Sequence, residues 1–129
     1  MLADIHHRKI LVIDDEEYLV KLLKSRLLIN RFDVVTAANG KEGLEAVVRE
    51  KPDLIILDVL MPEMNGAEFL RELKSNPELA RTPVIVISAQ PETQKLFNPS
   101  DIQAFVQKPF DPEDFISRVK RSLQSPKKD

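Results

Sequence analysis

Three runs in this chain, "ILVI" (10–13), "LIIL" (54–57) and "VIVI" (84–87), are apolar at every position. A strand with one wet face alternates apolar and polar residues. An unbroken run therefore belongs to a strand covered on both faces, as in a parallel sheet between two layers of helix. The full stretches are "KILVID" (9–14), "DLIILD" (53–58) and "PVIVIS" (83–88), and two more, "FDVVTA" (32–37) and "AFVQK" (104–108), are mixed enough to lie at or near the edges. Between them the spacing turns helical: Leu19, Leu22, Leu23 and Leu27 with Arg26 as the one polar break, then Leu44, Val47 and Val48, then Phe69, Leu70 and Leu73, then Phe115, Val119 and Leu123. Asn39-Gly40, Asn65-Gly66 and Asp111-Pro112 carry helix-start chemistry. Five strands alternating with helices predict an α/β fold with a parallel sheet.

At 129 residues the chain reads as a single domain, 1–129, with a structured core over about 8–124 and short polar tails. It has no cysteine, which excludes disulfides and thiolate metal sites. Its net charge of −2, with both signs interspersed, argues against a nucleic-acid-binding surface. Its three glycines supply neither a P-loop nor a dinucleotide fingerprint. No apolar run approaches a membrane span, and no signal peptide opens the chain, so a cytoplasmic protein without membrane contact is the expectation.

The chemistry falls just past the apolar runs. Asp14 and Asp15 follow the first, Asp58 the third, Ser88 the fourth and Lys108 the fifth. In an open parallel sheet these positions share one crevice where the strand order reverses. Two carboxylates ~5 Å apart at an effective dielectric of ~20 repel by roughly 3 kcal/mol, so three of them exceed what one lysine offsets. A hard divalent cation, Mg²⁺, restores the balance with oxygen ligands alone. A carboxylate beside such a cation, a lysine and a hydroxyl can act as nucleophile toward phosphorus and carry an aspartyl phosphate. Taken singly, these residues have blander readings. Acids after the first strand suit a helix dipole, and Glu16 and Glu17 keep that reading. His6 and His7 are adjacent in a polar arm, where a metal site is not expected.

Together, "IDDE", "LDVLMPEMNG", "VISA" and "FVQKPF", in order and each at a strand end, resemble the receiver domain of two-component response regulators over nearly the whole chain. The resemblance implies a flavodoxin-like, doubly wound five-stranded parallel sheet of order 2-1-3-4-5. It makes Asp58 the phosphoacceptor, with Mg²⁺ held by Asp14, Asp15, Asp58 and the backbone carbonyl of Leu60. Lys108, Ser88 and Ala89 would contact the phosphoryl group, Ser88 and Phe105 would be the switch pair, and Lys108-Pro109 would be cis. Met61, Pro62 and Gly66 match the loop after the third strand. The partners implied are a sensor histidine kinase or a histidine phosphotransfer protein as donor, and an output protein the sequence does not name. The chain would be a signalling switch that assists its own phosphorylation and dephosphorylation rather than an enzyme.

Two other functions compete. An aspartyl-phosphate phosphatase of the haloacid dehalogenase type uses similar groups, but its nucleophile heads an Asp-x-Asp pair, and Leu60 stands in the second place here. A receiver-like interaction module that is never phosphorylated would have lost at least one of these groups, and none is missing. No effector domain is recognisable in the chain. One departure from the family pattern stands out. The segment "AQPETQKLFNPSDIQAF" (89–105) holds Pro91 and Pro99 where a full fourth helix is usual. Proline cannot continue a helix without losing a backbone bond, so this helix is expected to be brief, from Glu92 to Phe97, or irregular. Leu96 or Phe97 would line an apolar pocket for Phe105.

Overall fold

The computed structural model describes residues 4–124, so the outermost parts of both expected tails fall outside the described residues. Strands β1 (Lys9–Ile13), β2 (Asp33–Ala37), β3 (Leu54–Asp58), β4 (Val84–Ser88) and β5 (Ala104–Gln107) form one sheet. All four pairings are parallel, in the order β2-β1-β3-β4-β5. This is the expected doubly wound architecture, with the mixed strands β2 and β5 at the edges.

Alternation along the central strands divides the core in two. Leu11, Ile13, Ile55, Leu57, Val84 and Val86 face α2 (Gly40–Glu50) and α3 (Gly66–Lys74). Ile10, Val12, Leu54, Ile56, Ile85 and Ile87 face α1 (Glu17–Ile29) and α4 (Pro112–Gln124). Successive strand residues point to opposite faces, so both faces of an all-apolar strand end up under helix. Arg26, the polar break in α1, donates to Glu113 Oε1 at 2.8 Å and ties α1 to the first turn of α4.

The helix starts follow the sequence signals. Asn39 Oδ1 accepts the Glu42 N–H at 2.9 Å, and Asn65 forms a reciprocal capping box with Glu68. One inner-face assignment is corrected. Val48 is exposed, and α2 turns Gly43, Ala46 and Val47 inward instead. A Cβ on Gly43 would stand 2.6 Å from Ile13 Cδ1, so the helix rides close to β1 on a glycine that hydrophobic periodicity does not register.

The segment after β4 contains no α-helix. Pro91–Leu96 and Pro99–Asp101 are two short 3₁₀ turns. Asn98 between them is extended (φ −75°, ψ 126°), as a residue before proline prefers. Phe97 is buried, lining a cleft with Ile102 and Phe105, whereas Leu96 faces solvent and does not line the Phe105 pocket. Within this segment Thr93 is buried and Leu96, at its last position, is exposed.

Candidate functional site

Strand register sets the site. Ile13 pairs with Leu57, Asp58 with Ile87 and Ser88 with Gln107, so the C-terminal ends of β1, β3, β4 and β5 lie side by side. Asp14, Asp58, Ser88 and Lys108 stand on those ends, as their positions after the apolar runs predict. The Lys108 N–H donates to the Ser88 carbonyl at 2.7 Å, which fixes the stem of the lysine against β4. The Lys108-Pro109 peptide is cis, as the resemblance implied.

The three aspartates converge. One carboxylate oxygen each from Asp14, Asp15 and Asp58 lies within 4.8 Å of the others. Asp14 and Asp58 are buried and Asp15 is exposed, so the group opens to solvent on one side. Lys108 Nζ reaches Asp14 Oδ2 at 3.0 Å, Asp58 Oδ1 at 3.4 Å and Glu16 Oε1 at 3.5 Å. Asp14 Oδ1 accepts the Glu16 N–H at 3.0 Å, so this acid also has part of the helix-start role that is its bland reading.

One ammonium thus serves a cluster of four carboxylates, three of them within 3.5 Å of it. Burial, then the charge of Asp14, pushes the Asp58 pKa from 3.8 up to about 7, with Lys108 pulling the other way but losing. Burial works to lower the Lys108 pKa, but the hydrogen bond to Asp14 and the charges of Asp14, Asp58 and Glu16 outweigh it and hold the value above its ordinary level. The site is short of positive charge, and its ligands are all oxygens. That donor set suits a hard divalent cation held by Asp14, Asp15 and Asp58.

The loop after β3 is tight. The Gly66 N–H donates to the Val59 carbonyl at 2.8 Å. A Cβ on Gly66 would stand 2.8 Å from the Asp58 carbonyl oxygen, so only glycine lets the start of α3 approach the acceptor strand this closely. Met61 is buried in the core beneath, and Leu60 is half-exposed at the mouth. Ala89 is exposed and lines an open cleft with Lys108 and Pro109. Phe105 is half-buried against the Phe97–Ile102 side of the core.

Ser88 is fully buried, and its hydroxyl bonds to the segment that follows β4. Ser88 Oγ lies 3.1 Å from the Gln90 carbonyl oxygen, accepts the Gln90 N–H at 3.0 Å, and lies 2.9 Å from Thr93 Oγ1. Two residues at the site were missed by sequence reasoning. Glu16 was read as a solvated helix-start acid, and the sole sequence signal for its contact with Lys108 was its continuity with Asp14-Asp15. Thr93 had no signal, because the 3₁₀ geometry that brings it to Ser88 follows from two prolines rather than from a hydrophobic period.

Comparison with known proteins gives a consistent picture. The pattern of the response regulator receiver domain matches residues 10–120. The chain is 37% identical over 120 residues to the alkaline phosphatase synthesis transcriptional regulatory protein PhoP of Bacillus subtilis, covering 92% of this chain and 49% of that protein. It is 34% identical over 118 residues to the response regulator ArlR of Staphylococcus saprophyticus, covering 90% and 52%. The chain therefore spans about half the length of the curated relatives it matches. Among solved structures it resembles response regulator TrrA from Thermotoga maritima in complex with Mg²⁺-BeF, with a TM-score of 0.81, 29% identity, and coverage of 89% and 98%. It also resembles the signal receiver domain of a signal transduction histidine kinase from Syntrophus aciditrophicus, with a TM-score of 0.81, 33% identity, and coverage of 89% of both chains.

Proposed function

The chain belongs to the family of response regulator receiver domains, and on that premise we propose that Asp58 accepts a phosphoryl group from a phosphohistidine, with Mg²⁺ held by Asp14, Asp15, Asp58 and the Leu60 carbonyl. The observation that carries this reading is the buried Asp58 carboxylate, at the end of a central strand, with Asp14 and Asp15 beside it and Lys108 3.4 Å away. A carboxylate oxygen of Asp58 attacks phosphorus. A P–O bond forms while the P–N bond to the donor imidazole breaks, and the imidazole leaves with the electron pair and takes up a proton. The donor is a sensor histidine kinase or a histidine phosphotransfer protein. Mg²⁺ supplies the positive charge that the four carboxylates lack and that the phosphoryl oxygens require.

This chain's residues do the positioning. Lys108 already points at Asp58, so its ammonium is placed for a phosphoryl oxygen without reorganisation. Asp58 is buried but Asp15 is exposed, which leaves the donor an approach from the solvent side. Ser88 and the backbone at Ala89 would complete the phosphoryl contacts, with Phe105 turning inward behind Ser88 as the second switch residue. Among the described residues no helix is long and apolar enough to cross a membrane.

Beryllofluoride, a mimic of the aspartyl phosphate, tests this reading. With Mg²⁺ present it should shift the amide resonances of Asp58, Ser88, Ala89 and Lys108. With EDTA it should shift none, and shifts that survive EDTA would defeat the metal assignment. A second expectation concerns how long the phosphoryl group lasts. Family position puts Leu60 and Gln90 beside the path of attacking water, and Leu60 is 45% exposed at the mouth of the site. An apolar side chain cannot orient a water molecule. Leu60→Asn should lose its phosphoryl group several-fold faster than the wild type. Equal decay rates would show that this position does not guard the phosphorus.

A further inference from the structure

We propose that Glu16, the acid that follows Asp14 and Asp15, is an electrostatic tuning residue of the site: it strengthens the hold on the divalent cation and weakens the hold on the phosphoryl group; the inference rests on the phosphoacceptor reading of Asp58. Glu16 is the N-cap of α1, with an extended backbone (φ −86°, ψ 97°), yet its side chain makes no capping hydrogen bond. Its N–H donates to Asp14 Oδ1 at 3.0 Å. Its carboxylate instead lies 3.5 Å from Lys108 Nζ. Lys108 also reaches Asp14 at 3.0 Å and Asp58 at 3.4 Å. Among the described residues, Glu16 is not one of the three acids whose oxygens converge closely enough to share an ion. It therefore stands beside the ammonium without joining the cation's ligands.

From that place Glu16 acts through its field. An oxygen that accepts a hydrogen bond from Lys108 Nζ sits about 3 Å from it, and so within roughly 6.5 Å of Glu16 Oε1. Across about that distance, in a water-like dielectric, one unit charge changes the affinity for another by roughly threefold. The phosphoryl group adds negative charge to the site, so Glu16 opposes it. The cation is positive, so Glu16 favours it. The Glu16 side chain is 57% exposed, so this field passes through water and is open to screening by salt. Asp14 and Asp58 are buried, and their fields are screened far less. A purely structural role for Glu16 leads elsewhere: damage to the start of α1 would weaken both ligands together.

The charge at this position can be changed in two steps, Glu16→Gln and Glu16→Lys, without removing a capping bond. Amide resonances are titrated with beryllofluoride in otherwise low salt, at Mg²⁺ saturating for each variant. Binding should tighten about threefold in Glu16→Gln and about tenfold in Glu16→Lys. Titrated with Mg²⁺ alone, the same variants should bind more weakly, in the same order. In about 0.5 M KCl, where the Debye length is about 4 Å, both sets of differences should shrink toward wild type. Glu16→Asp keeps the charge and should stay on the wild-type side of Glu16→Gln in both titrations. Glu16→Ala removes the same charge as Glu16→Gln and serves the comparison should either variant not fold. Opposite shifts for the two ligands, graded with charge and reduced by salt, are the expected result. Unchanged beryllofluoride affinity in the charge-altered variants, or affinities for cation and beryllofluoride that fall together, overturns the inference. If wild type itself binds no beryllofluoride, the phosphoacceptor reading has failed, and that result is distinct from either of these.

Discussion

Incubated with acetyl phosphate and Mg²⁺, the wild-type chain should incorporate one phosphoryl group and Asp58→Ala none. The small donor brings no protein surface of its own, so what it measures is the electrostatics of the site. Those electrostatics depend on the convergence of Asp14, Asp15 and Asp58 around a space that Lys108 reaches from one side. Chelation by EDTA should abolish labelling as completely as the substitution, because one ammonium cannot offset the charge of the carboxylates and the entering phosphoryl group together. Undiminished labelling in Asp58→Ala would remove Asp58 from its role. Undiminished labelling in EDTA would leave Asp58 in place and remove the metal.

In metal-free buffer Asp58→Asn should be more stable than the wild type at pH 8, by about 2–4 kcal/mol in urea denaturation. Burial and the neighbouring Asp14 raise the Asp58 pKa from 3.8 to about 7 in the folded chain. Between those values the folded protein binds a proton that the unfolded chain releases. The contribution of this group is complete below pH 3.8 and is lost as pH rises through 7. Above that, the native carboxylate is charged, buried and beside Asp14. Asparagine carries no such cost, so the gap should close as pH falls from 8 toward 4. Adding Mg²⁺ at pH 8 should close it too, by stabilising the wild type through binding. A wild type more stable than Asp58→Asn at pH 8 in EDTA would show that Asp58 is not the strained member of the cluster. A site that stores unfavourable charge in its empty state and relieves it on binding has a ready driving force for taking up a cation.

Much of this was legible in the chain because a parallel sheet converts sequence position into spatial position. Unbroken apolar runs announce strands buried on both faces, and whatever follows such a run must emerge at the same edge as its neighbours. That is why Asp14, Asp58, Ser88 and Lys108 could be placed together from four separate stretches. The helix starts at Asn39 and Asn65 were legible because capping chemistry is local to three or four residues. The brevity of the segment after β4 was legible because proline acts on its own backbone.

The rest depended on geometry that no period encodes. Val48 stands at helical spacing from Leu44 and was expected inward, but α2 approaches β1 most closely at Gly43, and Val48 lies exposed. Leu96 and Phe97 were both candidates for the Phe105 pocket; in the 3₁₀ turn at Pro91–Leu96 and the residue after it, Phe97 fills that place and Leu96 faces solvent. The same turn brought Thr93 to Ser88. Glu16 looked like one more helix-start acid until Lys108 was found 3.5 Å away. Side chains set by a strand end are predictable from the strand; those delivered by an irregular segment are not.

The most direct measurement is the identity of the modified residue in the wild-type chain. Aspartyl phosphate formed with acetyl phosphate and Mg²⁺ can be reduced by borohydride, which marks the acceptor permanently for peptide mass spectrometry. The mark should fall on Asp58 and on neither Asp14 nor Asp15. A mark on either of those residues, or no marked aspartate in a chain that binds Mg²⁺, would contradict the account.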